Sequence, residues 1–334
     1  MAISTPRFFA ALLCVAASLQ IGCISPEEPG TLVPPTADQD PALPQRTITV
    51  AGEARAIHTE TFGDPSNPAL FLLHDMLADY RAFQVFEALS DRYFVVMWDQ
   101  RGHGLSERIA DGEYTVDSIV EEIDALKALH SPNAPVTLIG HGFGAAYAAL
   151  YMSRRPASVS QAVLMEPVGL NGQIYNDSYY SVFDDSTWNA TIARMLWQNE
   201  ALTATDHETI DYRALSFVAD ARWTKLNCDN TNPPPFPVWR PGGYVEILRE
   251  RMIEGGGSIH EYKFDFAAGL STFPAMVRIL VSDCSALGFD FQNKNNRPLI
   301  QHSEIVVIRA SGHRMFIEQP SATLIAVKDY LSEY

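Results

Sequence analysis

Three short segments of this chain carry residue types that move protons or attack electrophiles, and each follows an apolar run. Residues 136–139 lead into Gly140-His141-Gly142-Phe143-Gly144 and then into the small-residue stretch 145–150. The pattern predicts a strand, a sharp turn and a helix, with glycines two before and two after the apex at Gly142, where strand and helix pack closely. Glycine at that apex offers no side-chain atom that could attack an electrophile. The run 161–165 ends in Glu166-Pro167, and a carboxylate at the end of a buried strand needs a partner such as an imidazolium. The run 304–308 is followed by Ala310-Ser311-Gly312-His313, a loop histidine able to serve as general base.

The elements that must position these residues are legible as a pattern. From Thr47 onward, short apolar runs alternate with helical segments, as in a doubly wound α/β sheet. Residues 47–50 and 54–61 predict an antiparallel pair turning at Gly52, and 70–73, 94–98, 136–139, 161–165, 277–281 and 304–308 predict buried strands. Val116, Ile119, Val120, Ile123, Leu126, Ala128 and Leu129 recur at helical spacing. Between the two blocks of strands, 169–272 is aromatic, polar and mostly helical in pattern, with the run Asn232-Pro233-Pro234-Pro235-Phe236-Pro237. We read it as a cap inserted between a first core segment, 47–168, and a second, 273–334.

In this order and spacing the motifs resemble the α/β-hydrolase fold family, in the form common among its proline-iminopeptidase-like members. The resemblance implies a mostly parallel sheet with an inserted helical cap. The family's elbow reads Gly-x-Ser-x-Gly, and Gly142 stands at the Ser position. His74-Asp75 lies where the family has His-Gly opening its oxyanion loop, and Asp99-Gln100-Arg101-Gly102-His103-Gly104-Leu105-Ser106 is similar to its Asp-x-Arg-Gly-x-Gly-x-Ser loop. The roles so implied are a general base at His313 and an oxyanion hole made by the N–H groups of Met76 and Phe143. Two carboxylates remain open as the acid that orients His313. Glu166 occupies the place used by certain haloalkane dehalogenases, and Asp283 lies just short of the commoner slot, which holds Ser285. Asp75 brings an anion beside the hole and weakens it unless its carboxylate turns away. With Gly142 at the apex, a covalent acyl-enzyme is excluded, leaving at most an acceleration of about 10³ to 10⁴ from the remaining groups.

Composition narrows the function further. The 334 residues hold 24 Lys plus Arg against 40 Asp plus Glu, a net charge of −16, which repels a phosphate backbone and argues against nucleic acid as a partner. Cys14, Cys23, Cys228 and Cys284 lack metal-site spacing, the scattered His74, His103 and His141 suggest no metal, and a dinucleotide fingerprint is missing. The expectation is therefore no cofactor and no metal. Residues 1–22, with Arg7 ahead of the apolar run 8–19, read as an export signal. Gly22-Cys23 resembles the end of a bacterial lipoprotein signal, which implies lipidation of Cys23 and a periplasmic or outer-membrane location. The other reading is secretion after cleavage near 16–18. Residues 23–46 form a Pro-rich tether, so membrane contact is expected through a lipid anchor only. An exported compartment permits a Cys228–Cys284 disulfide tying cap to core. Trp188, Trp197, Trp223 and Trp239 make the cap either an apolar lid over a small-molecule ligand or simply a small aromatic core. Three functions stay open: a pseudoenzyme that binds a ligand, a His313/Glu166 dyad acting on water, or an inactivated serine hydrolase of esters or amides.

Overall fold

A computed structural model describes residues 34–76, 78–110, 113–179, 226–228 and 262–333. Cys23, the export signal, the four cap tryptophans and the Pro-rich run 232–237 lie outside them. Eight strands form one sheet: β1 Gln45–Val50, β2 Glu53–Phe62, β3 Ala69–Leu73, β4 Phe94–Trp98, β5 Val136–His141, β6 Val159–Met165, β7 Val277–Ser282 and β8 Ser303–Ile308. Their order is β1-β2-β4-β3-β5-β6-β7-β8. The β1/β2 and β2/β4 pairs are antiparallel and all others parallel. The turn from β1 to β2 is made by Ala51 and Gly52, both at positive φ, the conformation that matches the twist of a two-residue hairpin.

The central strands are apolar without alternation because helices cover both faces. Every residue of β3 and β4 is buried. Phe71 and Leu73 point into the larger core with helices α1, Val116–His130, and α2, Phe143–Arg154. Leu70 and Leu72 point the other way, toward Phe83, Phe86, Phe316 and helix α3, Pro320–Glu333. Helix α1 begins with a reciprocal cap: Thr115 Oγ1 accepts from the Ser118 N–H and Ser118 Oγ accepts from the Thr115 N–H, satisfying donors that the first turn leaves open. The sequence reading did not anticipate the 3-10 segment Tyr80–Leu89, whose Phe83 and Phe86 seal the second face.

The two ends of the inserted region lie side by side on the core. Asn171 bridges to Asp265, and the Tyr262 N–H donates to Asn176 Oδ1 at 3.1 Å. Cys228 and Cys284 are joined by a disulfide, which fixes the short segment Leu226-Asn227-Cys228 beside the loop that follows β7.

Candidate active site

The site forms where β3, β5, β6 and β8 end at their carboxyl edge, the usual place for a ligand in an open parallel sheet. Strand β5 stops at His141, and Gly142 turns the chain at φ 55° and ψ −117° into α2. A Cβ at Gly144 would collide with the Leu73 carbonyl oxygen, so α2 starts pressed against the end of β3. That contact brings the Phe143 N–H next to the loop His74-Asp75-Met76.

Glu166, the first residue past β6, sits at φ 40°, a conformation that costs a non-glycine residue of order 1–3 kcal/mol and that surrounding contacts must hold. Those contacts are present. Glu166 is fully buried, its Oε1 accepts from the Ser282 N–H at 2.7 Å and the Ser282 hydroxyl at 2.5 Å, and its Oε2 lies 2.7 Å from His313 Nδ1. Asp283, the other acid considered, does not reach the ring. It is exposed and accepts from the Ser311 N–H at 3.2 Å, so it braces the backbone of the histidine loop instead.

The backbone of His313 is held on both sides. Its N–H donates to the Leu226 carbonyl at 2.6 Å, and its carbonyl accepts from His141 Nε2 at 2.8 Å. Burial, reinforced by the neighbouring His313 charge, pushes His141 down to about 3, so at neutral pH its ring is an uncharged brace. His74 clamps the next loop. Its Nε2 accepts from the Gln100 N–H at 3.0 Å, which leaves Nδ1 to donate to the Asp75 carbonyl at 2.7 Å. Asp99 anchors the same region, accepting from the Tyr80 and Leu105 N–H groups and lying 3.1 Å from His58 Nδ1. His58 was missed in the sequence, where it is one polar residue within a strand and belongs to no motif.

The Asp75 carboxylate does not turn away from the two N–H groups expected to form an oxyanion hole: Oδ1 accepts from those of both Met76 and Phe143 at 2.8 Å. Oδ2 lies 3.6 Å from His313 Nε2. A Cβ built on Gly142 would fall 2.5 Å from Oδ1 and 2.6 Å from Oδ2. The carboxylate thus occupies the space that an apex side chain would need. Desolvation opposes its charge, yet His313 and the Phe143 N–H hold Asp75 down at about 2. Burial likewise opposes the imidazolium, but Asp75 and Glu166 on either side raise His313 to about 9. Against its own burial, Glu166 is kept below the usual carboxylate range by His313 and Ser282. At neutral pH the site is an imidazolium between two carboxylates.

A mostly parallel sheet carrying a histidine–carboxylate pair and two convergent N–H donors beside a strand–helix elbow defines a hydrolase-type α/β protein. The sequence pattern of the alpha/beta hydrolase fold matches residues 68–228. A probable 1-acylglycerol-3-phosphate O-acyltransferase of Oryza sativa subsp. japonica is 31% identical over 157 residues, 44% of this chain and 37% of that protein. The proline iminopeptidase PfmaB of Pestalotiopsis fici is 35% identical over 83 residues, 25% of this chain and 29% of that protein. The chain therefore spans well under half the length of these curated relatives. A thermophilic esterase from Thermogutta terrifontis superposes with TM-score 0.65 at 18% identity, covering 86% of this chain and 98% of the esterase. A bromoperoxidase from Bacillus anthracis gives 0.59 at 17%, covering 86% and 99%. The chain has the alpha/beta hydrolase fold.

Proposed function

We propose that this chain is an exported α/β-hydrolase relative that has lost acyl transfer from esters and amides and keeps its site to bind a small apolar ligand. With respect to serine-hydrolase chemistry it is a pseudoenzyme. The observation that carries this reading is the Asp75 carboxylate in the oxyanion hole, 2.8 Å from both N–H donors. An ester carbonyl entering the hole would have to expel an anion already bound there. Loss of a single donor from such a hole costs about 10²- to 10³-fold in rate, and here both donors are taken. Gly142 removes the nucleophile as well. The dyad reading is disfavoured by His313, which at about 9 holds its proton at neutral pH and is no base for water. Export rests on residues 1–22 and lipid attachment on Cys23, and the Cys228–Cys284 bond suits an oxidising compartment. An apolar chain as ligand is favoured by the name of the O-acyltransferase relative.

The purified chain is tested with a fluorophosphonate probe, p-nitrophenyl esters and a prolyl arylamide. Neither labelling nor turnover above buffer is expected, and turnover at rates ordinary for serine hydrolases overturns the proposal. For the ligand, 1-acylglycerol-3-phosphate should raise the melting temperature while glycerol 3-phosphate does not. The reverse result removes the apolar-ligand reading.

A further inference from the structure

Two histidines and an aspartate from three separate loops and strand ends converge at one point of the fold. An oxygen of Asp75 and one ring nitrogen each of His141 and His313 lie within 4.8 Å of one another, and Asp75 Oδ2 stands 3.6 Å from His313 Nε2. Two imidazoles and a carboxylate are a ligand set for zinc, and Zn–N and Zn–O bonds of about 2.0–2.2 Å set neighbouring tetrahedral ligands about 3.4 Å apart. The Asp75–His313 pair is spaced like two ligands of one ion. No ligand motif shows this set in the sequence, because His141 and His313 are 172 positions apart. We propose that Asp75, His141 and His313 bind a zinc ion.

What sets this cluster apart from an ordinary ion pair is the group that stands behind each ligand. His313 Nδ1 lies 2.7 Å from Glu166 Oε2, and Glu166 is itself held by the Ser282 N–H and hydroxyl. A carboxylate behind a ligating histidine fixes the ring and raises its basicity. His141 Nε2 donates to the His313 carbonyl at 2.8 Å, so Nδ1 is the nitrogen left to ligate, and a backbone acceptor sets its tautomer. Asp75 Oδ1 accepts from the Met76 and Phe143 N–H groups, which leaves Oδ2 as the ligating oxygen. All three ligands are thus oriented by protein groups, as a precise metal site requires. A ligating imidazole must be neutral, so the ion takes the place of the His313 proton, and the two carboxylates that face the imidazolium then face the ion. Arg314, the neighbouring cation, interacts with Glu318 more strongly than with Asp75. Three protein ligands leave a fourth position for water or for an oxygen of a bound molecule, the count of an open zinc site rather than a closed structural one. The Asp75 side chain, 18% exposed, gives that position access to solvent.

The proposal shares residues with the function proposed above, yet the two fail separately: ester turnover or fluorophosphonate labelling refutes that reading, whereas the experiment here follows an ion. The untagged full chain is stripped of metal with EDTA, kept free of reductant so that Cys228–Cys284 stays closed, and titrated with Zn²⁺ by calorimetry and with Co²⁺ by absorption spectroscopy. The expected result is one ion per chain, with the strong visible absorption of four- or five-coordinate Co²⁺. X-ray absorption at the zinc edge of the parent chain should show two imidazoles and no sulfur, a result that stands even where a variant fails to fold. Asp75→Asn and His141→Gln, which keep the size of the side chain, should each abolish stoichiometric binding. Glu166→Gln removes no ligand and should weaken zinc by about 10- to 100-fold, the usual effect of losing the group behind a ligating histidine. Absence of stoichiometric binding to the parent, sulfur or a single imidazole among the ligands, or unchanged affinity in a folded Asp75→Asn or His141→Gln overturns the proposal.

Discussion

Replacing Gly142 with serine is the direct way to ask whether an ordinary hydrolase is hidden in this site, and the structure says that the single change should fail. A Cβ at position 142 falls 2.5–2.6 Å from the Asp75 oxygens, far inside contact distance, and the backbone stands at φ 55°. Strain of that backbone is worth about 1–3 kcal/mol, and forcing an extra group into a packed site about 1–3 more. Gly142→Ser should therefore lose about 2–6 kcal/mol, visible as a lower melting temperature, and should remain unlabelled by a fluorophosphonate. Combining it with Asp75→Gly removes the obstruction, reopens both N–H donors and leaves His313 with Glu166 alone, so that the imidazole can lose its proton nearer neutral pH. The double variant should label and turn over p-nitrophenyl esters. A single variant as stable as the parent and readily labelled would refute the reasoning, because Asp75 would then not fill the apex space. A folded double variant that is never labelled would equally show that the remaining machinery is not poised for acyl transfer.

Other outcomes follow from the same charges. His313 should titrate near 9 by NMR, and both Asp75→Asn and Glu166→Gln should lower that value. Because its folded value is raised from 6.5 to about 9, its contribution, about 3 kcal/mol at 1.36 kcal/mol per unit, is full below pH 6.5 and disappears as pH rises through 9. Thermal melts between those limits should fall with pH in the parent and flatten in His313→Gln. Glu166→Gln leaves a buried imidazolium with one anion fewer, and removal of one partner from such a pair costs about 3–5 kcal/mol. Chemical denaturation measures that loss, and a loss below 1 kcal/mol would contradict the buried pair. Reduction of Cys228–Cys284 should cost about 2–4 kcal/mol, and hydrogen exchange should rise at the His313 N–H, which is bonded to Leu226, before it rises in β5.

The sheet was legible because its central strands are buried on both faces and leave continuous apolar runs such as Ala69–Leu73 and Phe94–Trp98. Helix α1 was legible to within one residue from its spacing. The 3-10 segment Tyr80–Leu89 was not, since Phe83 and Phe86 are interleaved with polar residues and its start depends on Asp79 accepting from the Arg81 N–H, a local bond that composition does not reveal. Glu166 and His313 were legible as candidates because each follows a strand whose end is fixed by the sheet register. The position of the Asp75 carboxylate was not. Its two donors lie one residue and 68 residues away in sequence, and only the packing of α2 against β3 brings them to one oxygen.

Gly142 and Asp75 are best understood as one change to the site rather than two. A glycine at the apex leaves a gap beside two N–H donors that point into a desolvated corner, and an unsatisfied buried donor costs about 1–3 kcal/mol. The Asp75 carboxylate fills the gap, accepts from both donors and supplies the second anion that holds His313 as an imidazolium. Each of these effects needs the absence of a side chain at 142, because the same atoms cannot share that space. On the proposed function, a site without a nucleophile at 142 is therefore not an open one: it is a closed network in which the N–H groups of Met76 and Phe143 meet an oxygen of the protein itself.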